Sequence, residues 1–170
     1  MSKTPQKLST PQKALEYLNK ALSIEEKAAW LTKIDELEPT VEQIVECTEH
    51  AGTFLNACAI LSQMGKHKDA LQMSNKAIAV LKRIQNSVQK QEAFSNESSK
   101  VDINNTNSDI KPVETDTAIK DSSKKAYLRG YYLMIAVAHY NRGVEYEYLN
   151  DLNEATNSIN EASTIAKLHL

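Results

Sequence analysis

Three observations predict an all-α fold: helix breakers are scarce, apolar residues recur every three or four positions, and a pattern of small residues occurs twice. The chain of 170 residues holds four glycines and four prolines, and Pro5, Pro11 and Pro39 lie within its first forty residues. The long stretches between breakers carry their apolar residues at helical spacing. Each position of the second pattern lies 85 residues after its counterpart in the first, as Gly143 does after Cys58 and Ala155 after Ala70.

The elements follow in order. Residues 1–9 are polar and are expected to be disordered. Thr10 followed by Pro11 reads as an N-cap with proline at the first helical position, and Leu15, Leu18 and Leu22 form a stripe through Ala14–Ser23. Glu25–Leu37 continues with Ala29, Trp30, Ile34 and Leu37, so residues 10–38 read as an N-terminal helical hairpin. After Pro39, Thr40 and Gln43 have the spacing of a capping box. Ile44, Thr48, Ala51, Leu55, Cys58 and Leu61 then carry one helix to Gly65. Its partner begins near His67, bears Ala70, Leu71, Ala77, Ile78, Leu81, Ile84 and Val88, and fades near Phe94, which closes a first hairpin at residues 40–94.

Residues 95–123 have little apolar mass and contain Pro112, so they cannot bury enough surface to offset their ordering entropy; a disordered insertion is expected. Helical pattern resumes at Lys124 through Tyr127, Tyr131, Met134, Val137 and Ala138, and a last helix spans Leu152–Leu168, giving a second hairpin at residues 124–170. Both first helices extend backward from the repeated pattern by similar lengths, so they are expected to lie side by side.

Within the pattern, Cys58 and Gly143 are small residues in mid-helix, followed three positions later by Leu61 and Tyr146. Gly65 and Asn150 stand in the turns, and these two types best tolerate a left-handed helix end. Ala70 and Ala77 in one copy, and Ala155 and Ala162 in the other, keep the second helix small where helices approach. On these residues the chain resembles the tetratricopeptide repeat, a helix–turn–helix unit of about 34 residues. It departs from the pattern at Ser74, where a large apolar residue is usual and Ile159 fits, and at Lys82 and Lys167, where proline is often found. Ala14, Leu18 and Ala21 also resemble the second helix of a degenerate repeat.

The resemblance implies a non-enzymatic scaffold or adaptor that binds protein partners in a groove lined by first helices. The implied groove positions are Leu55, Asn56, Ala59, Ser62 and Gln63, then Tyr140, Asn141, Val144, Glu147 and Tyr148. Repeat domains that clamp a chaperone's C-terminal carboxylate carry Lys and Asn where this chain has Leu55 and Ala59; only Asn141 agrees, so that activity is not expected. The tract Ala136–Ala155 is similar to repeat proteins of ciliated eukaryotes, some built into the axoneme. This implies an alternative role as a structural component of a ciliary axoneme or other large cytoskeletal assembly.

Other chemistry is thinly represented. A net charge of −2 argues against nucleic acid or a membrane surface as partner. The chain carries no signal-type apolar run and only two cysteines, too few for a disulfide framework; a cytoplasmic location is expected, with ciliary or cytoskeletal as the narrower form. Cys47, His50 and Cys58 have a metal flavour but lack the fourth ligand of a closed zinc site, so neither metal nor cofactor is expected. His67, His139 and His169 show no triad arrangement, and the glycines form no phosphate loop, so no catalytic residue is assigned.

Six of the seven tyrosines lie between Tyr127 and Tyr148, where packing and binding are both open to them. The first hairpin's second helix is basic (Lys66, Lys68, Lys76, Lys82, Arg83 and Lys90), whereas Glu145, Glu147, Asp151, Glu154 and Glu161 accumulate in the second hairpin. The last helix carries Ile159, Ala162, Ile165, Ala166 and Leu168. This face is expected to be covered by a second copy or by a different protein, the alternative being that the N-terminal helices fold back over it.

Overall fold

The computed structural model describes residues 9–25, 40–98 and 115–170. Among the described residues are five helices: α1 (Thr10–Glu25), α2 (Val41–Gln63), α3 (His67–Ser98), α4 (Thr115–Tyr148) and α5 (Leu152–His169). The second half of the expected N-terminal hairpin and residues 99–114 of the expected insertion lie outside the described residues. Of the expected insertion, residues 95–98 are helical at the end of α3 and residues 115–123 are helical at the start of α4. Polar helix residues show no apolar period, which is why the sequence assigned them to a loop.

The helix boundaries follow from local chemistry. At α2 both halves of the capping box form: the Gln43 backbone N–H donates to Thr40 Oγ1 (3.3 Å) and the Thr40 N–H to Gln43 Oε1 (2.8 Å). At α1 the cap lies one residue earlier than expected. The Lys13 N–H donates to the Ser9 carbonyl (3.0 Å), and Gln12 reaches back to the Ser9 N–H (2.8 Å).

The two hairpin turns are the same turn made twice. Gly65 and Asn150 have φ of 70° and 63°. The Lys66 N–H donates to the Leu61 carbonyl and the Gly65 N–H to Ser62, each at 2.9 Å; Asp151 repeats this onto Tyr146, and Asn150 onto Glu147, again at 2.9 Å. This is the Schellman arrangement, which closes a helix by satisfying carbonyls left free in its last turn. Asp151 then caps α5 by accepting from the Glu154 N–H (3.4 Å).

Neighbouring helices pack in a chain of pairs: α1 on α2, α2 on α3, α3 on α4 and α4 on α5. In addition α4 touches α2, as the matched extensions led us to expect. The main core draws Ile44, Phe54 and Leu55 from α2, Leu81, Ile84 and Val88 from α3, and Leu128, Tyr131 and Ile135 from α4, with Leu22 of α1. Full burial of Ile44 or Leu81 contributes roughly 1.5–3 kcal/mol each. A smaller cluster of Cys58, Leu61 and Ala70 sits at the turn end of the first hairpin.

At Gly143, α4 and α5 approach closely. A Cβ there would stand 2.7 Å from Ile159 Cγ1 and 3.1 Å from the Ala155 carbonyl oxygen, whereas one at Gly130, on the same helix, would meet nothing within 4 Å. The same substitution should therefore act in opposite directions. Gly130→Ala should add about 0.5–1 kcal/mol through helix propensity, and Gly143→Ala should cost about 1–3 kcal/mol through overpacking, with Gly143→Leu costing more. Thermal melts of the variants measure this; equal shifts for the two alanine variants would show that α4 and α5 do not cross at Gly143.

Candidate protein-binding surfaces

The repeat places equivalent residues of α2 and α4 on neighbouring helices, and their exposure sorts the expected groove residues into two groups. Asn56, Ala59 and Gln63 of α2 are exposed and Ser62 is half-buried; on α4, Asn141 and Val144 are half-buried, and Glu147 and Tyr148 exposed. Leu55 and Tyr140, also expected in the groove, behave differently. Leu55 is 6% exposed and belongs to the core, so it is unavailable to a partner, while its counterpart Tyr140 is 55% exposed. Tyr140 lines a separate apolar groove of about 340 Å³ between α4 and α5. Leu55 lies in the core that α2 shares with α4, whereas among the described residues no further helix packs on α4 and α5 at Tyr140.

Beside the inner face lies a polar junction between the hairpins. His67, in the first turn of α3, pairs through Nδ1 with Glu145 Oε2 of α4 (2.8 Å), and its ring stacks on Tyr148 with centroids 4.1 Å apart. Glu145 is 2% exposed. The basic α3 and the acidic end of α4 thus meet through a half-buried contact, which also holds the Tyr148 ring against the neighbouring hairpin.

A polar cleft of about 700 Å³ opens on the other side, where α3, α4 and α5 contribute Lys82, His139, Arg142, Glu154, Asn157 and Glu161. Arg142 joins α4 to α5, donating from Nε to Ser158 Oγ (3.0 Å) and from Nη2 to Glu161 Oε2 (2.6 Å). That carboxylate oxygen also lies 2.6 Å from His139 Nδ1, but off the direction a hydrogen bond requires, so the buried Nδ1 has no hydrogen-bond partner. Burial lowers the His139 pKa, and the Arg142 and Lys82 charges act the same way against the opposing pull of Glu161.

The residues with a metal flavour are spread along α2. Cys47 and Cys58 are buried free thiols, and His50 pairs through Nδ1 with Glu25 of α1. Burial pushes both thiols up to about 12, far from the thiolate a nucleophile or metal ligand needs. Among the described residues no three His, Cys, Asp or Glu side chains gather as a metal cage would require, and no helix is long and apolar enough to cross a membrane.

Sequence reasoning missed Leu133 and Val137, which line the α4/α5 groove. A signal was present: 85 residues earlier stand Thr48 and Gly52, so the outward positions become large and apolar only in the second copy. His67 and Glu145 had no signal, being 78 residues apart. No protein-family model, no curated protein and no solved structure matches the chain.

Two measurements probe these environments. Ellman's reagent should find neither cysteine in the native protein and both after unfolding; rapid reaction of the folded chain would place a thiol at the surface. The second concerns His139. Because its folded pKa is depressed below the ordinary 6.5, the unfolded chain takes up a proton that the folded site resists. Stability should therefore fall as pH drops below about 6.5, until the folded pKa is passed. In urea titrations between pH 7.5 and 5, His139→Gln should flatten this slope; an unchanged slope would remove His139 as its source.

Proposed function

We propose that the chain is a non-enzymatic protein–protein adaptor built as a short tetratricopeptide-like array, working in the cytoplasm. The observation that carries this reading is the repetition of one hairpin, with the same turn and the same close crossing, stacked so that the first helices α2 and α4 are neighbours. The packing of α1 on α2 is consistent with α1 standing as the second helix of a degenerate preceding unit. The two free, buried cysteines agree with a reducing compartment.

The chemistry of the inner face suits a polypeptide ligand. Asn56 and Asn141 occupy the same repeat position, and each carboxamide can both donate to and accept from a peptide bond. Between and beyond them, Ala59 and Val144 offer apolar contact, while Gln63, Glu147 and Tyr148 offer polar edges. Tyr148 is 64% exposed although stacked on His67, a rigid aromatic of the kind that anchors interfaces at low entropic cost.

Affinity purification with mass spectrometry tests the proposal, comparing the native chain with an Asn56→Lys/Asn141→Lys variant. Surface changes of this sort alter stability by only about 0.5 kcal/mol or less, so the variant should melt as the native chain does. Partners recovered by the native chain should fall about tenfold or more with the variant, the effect of losing about 1.4 kcal/mol of binding. An identical set of recovered proteins would sink the inner face as the binding surface.

A further inference from the structure

The second hairpin presents the surface that the first hairpin buries. On the first, α4 lies across α2 and α3: Met134 Cε is 3.6 Å from where a Cβ on Gly52 would stand, and the Tyr131 hydroxyl donates to the Leu81 carbonyl (3.4 Å). Ala51, Leu55, Ala77 and Leu81 are buried in the core that α2 and α3 share with Tyr131 and Ile135 of α4. Their counterparts 85 positions on, Ala136, Tyr140, Ala162 and Ala166, line the open α4/α5 groove. No charged side chain is among its lining residues, and Leu133 and Leu170 at its margins are 51% and 46% exposed.

We infer that this groove docks an amphipathic helix of another protein, laid across α4 and α5 as α4 is laid across α2 and α3. The site thus continues an interface already built once within the chain, and it is distinct from the inner face. The distribution of bulk says how the helix sits. Gly52 and Thr48 of α2 give way to Val137 and Leu133 on α4, while Ile78 and Leu81 of α3 give way to Ser163 and Ala166 on α5. The incoming helix is therefore displaced toward α5, with its large apolar side chains over Ser163 and Ala166 and smaller ones against Val137.

A second copy of this chain fits less well. Groove against groove sets two concave surfaces face to face. The other large exposed apolar residues among those described, such as Tyr17 and Ile24 on α1 or Val41 and Val45 on α2, come in pairs or singly, short of the three-turn stripe that a helix-in-groove contact uses.

The probe is a phage-displayed library of helical peptides of about 18 residues, roughly five turns, panned on the intact chain. Enriched peptides should share an uncharged stripe of apolar residues at i, i+3 or i+4, and i+7. Their affinity, by fluorescence polarisation, should fall about tenfold or more with Val137→Glu, Ala166→Glu and the well-exposed Leu133→Lys, each checked for native helicity. It should be unchanged by Asn56→Lys/Asn141→Lys, which separates failure here from failure of the inner face. The inference is overturned if no peptide is enriched, or if enriched peptides ignore all three groove variants. It is also overturned if the chain alone sediments as a dimer that Leu133→Lys returns to monomer, since the groove would then belong to a second copy.

Discussion

Everything in this architecture depends on how closely two helices can approach at the repeated crossing. At Gly143 the backbone of α4 comes so near α5 that a single added carbon would stand 2.7 Å from Ile159. At the equivalent crossing in the first hairpin, Cys58 lies against the backbone of Ser74, and both are buried. The two crossings solve one volume problem in opposite ways. Glycine faces isoleucine in one, while cysteine faces serine in the other, so the pair fills a similar space although its members differ. This explains why Ser74 departs from the usual large apolar residue: Cys58 already supplies the bulk that Ile159 supplies opposite Gly143. Interiors at native density admit such exchanges only when total volume is kept.

Small residues let helices approach but do not fix their register, because a smooth apolar seam tolerates sliding. Polar contacts at the junctions supply that. Glu25 meets His50 between α1 and α2, Glu145 meets His67 between α3 and α4, and Glu161 lies against His139 between α4 and α5. Glu145 matters most, since it is nearly sealed from water. A carboxylate buried without its partner is far more costly than any gain from an alternative packing. Sliding α4 by one turn would strand Glu145, so this contact pins α4 on the first hairpin and, with it, the relative positions of Asn56 and Asn141.

The local structure was legible in the sequence wherever short-range chemistry decides the outcome. Thr40 with Gln43, Gly65, Asn150 and the alanines at 70, 77, 155 and 162 all act within one turn or one hairpin, and the helices start, stop and cross where those residues indicate. The N-cap of α1 fell to Ser9 rather than Thr10 because either side chain can cap and Gln12 reaches only Ser9. The polar ends of α3 and α4 were hidden because a polar tract leaves no apolar period to detect. The candidate binding surface was less legible. Leu55 and Tyr140 are indistinguishable as repeat positions, and their fates differ only because a helix far along the chain covers one of them.

The same reasoning separates the two surfaces by the kind of specificity each can have. The inner face is held in register by the His67–Glu145 contact and presents amides, a carboxylate and the stacked Tyr148 ring, so it can discriminate by hydrogen bonding, where an unmatched polar group carries a full desolvation penalty. The α4/α5 groove has no charged side chain in its lining. A helix entering it meets no polar pin like the one that fixes α4 on the first hairpin, and its register rests on fitting bulk against Ser163 and Ala166. Discrimination by shape alone is weaker, about 1–3 kcal/mol for a methylene more or less. On the proposed reading, selectivity for one polypeptide falls mainly to the inner face, and the groove, a separate site, accepts a helix chiefly on its shape and apolar area.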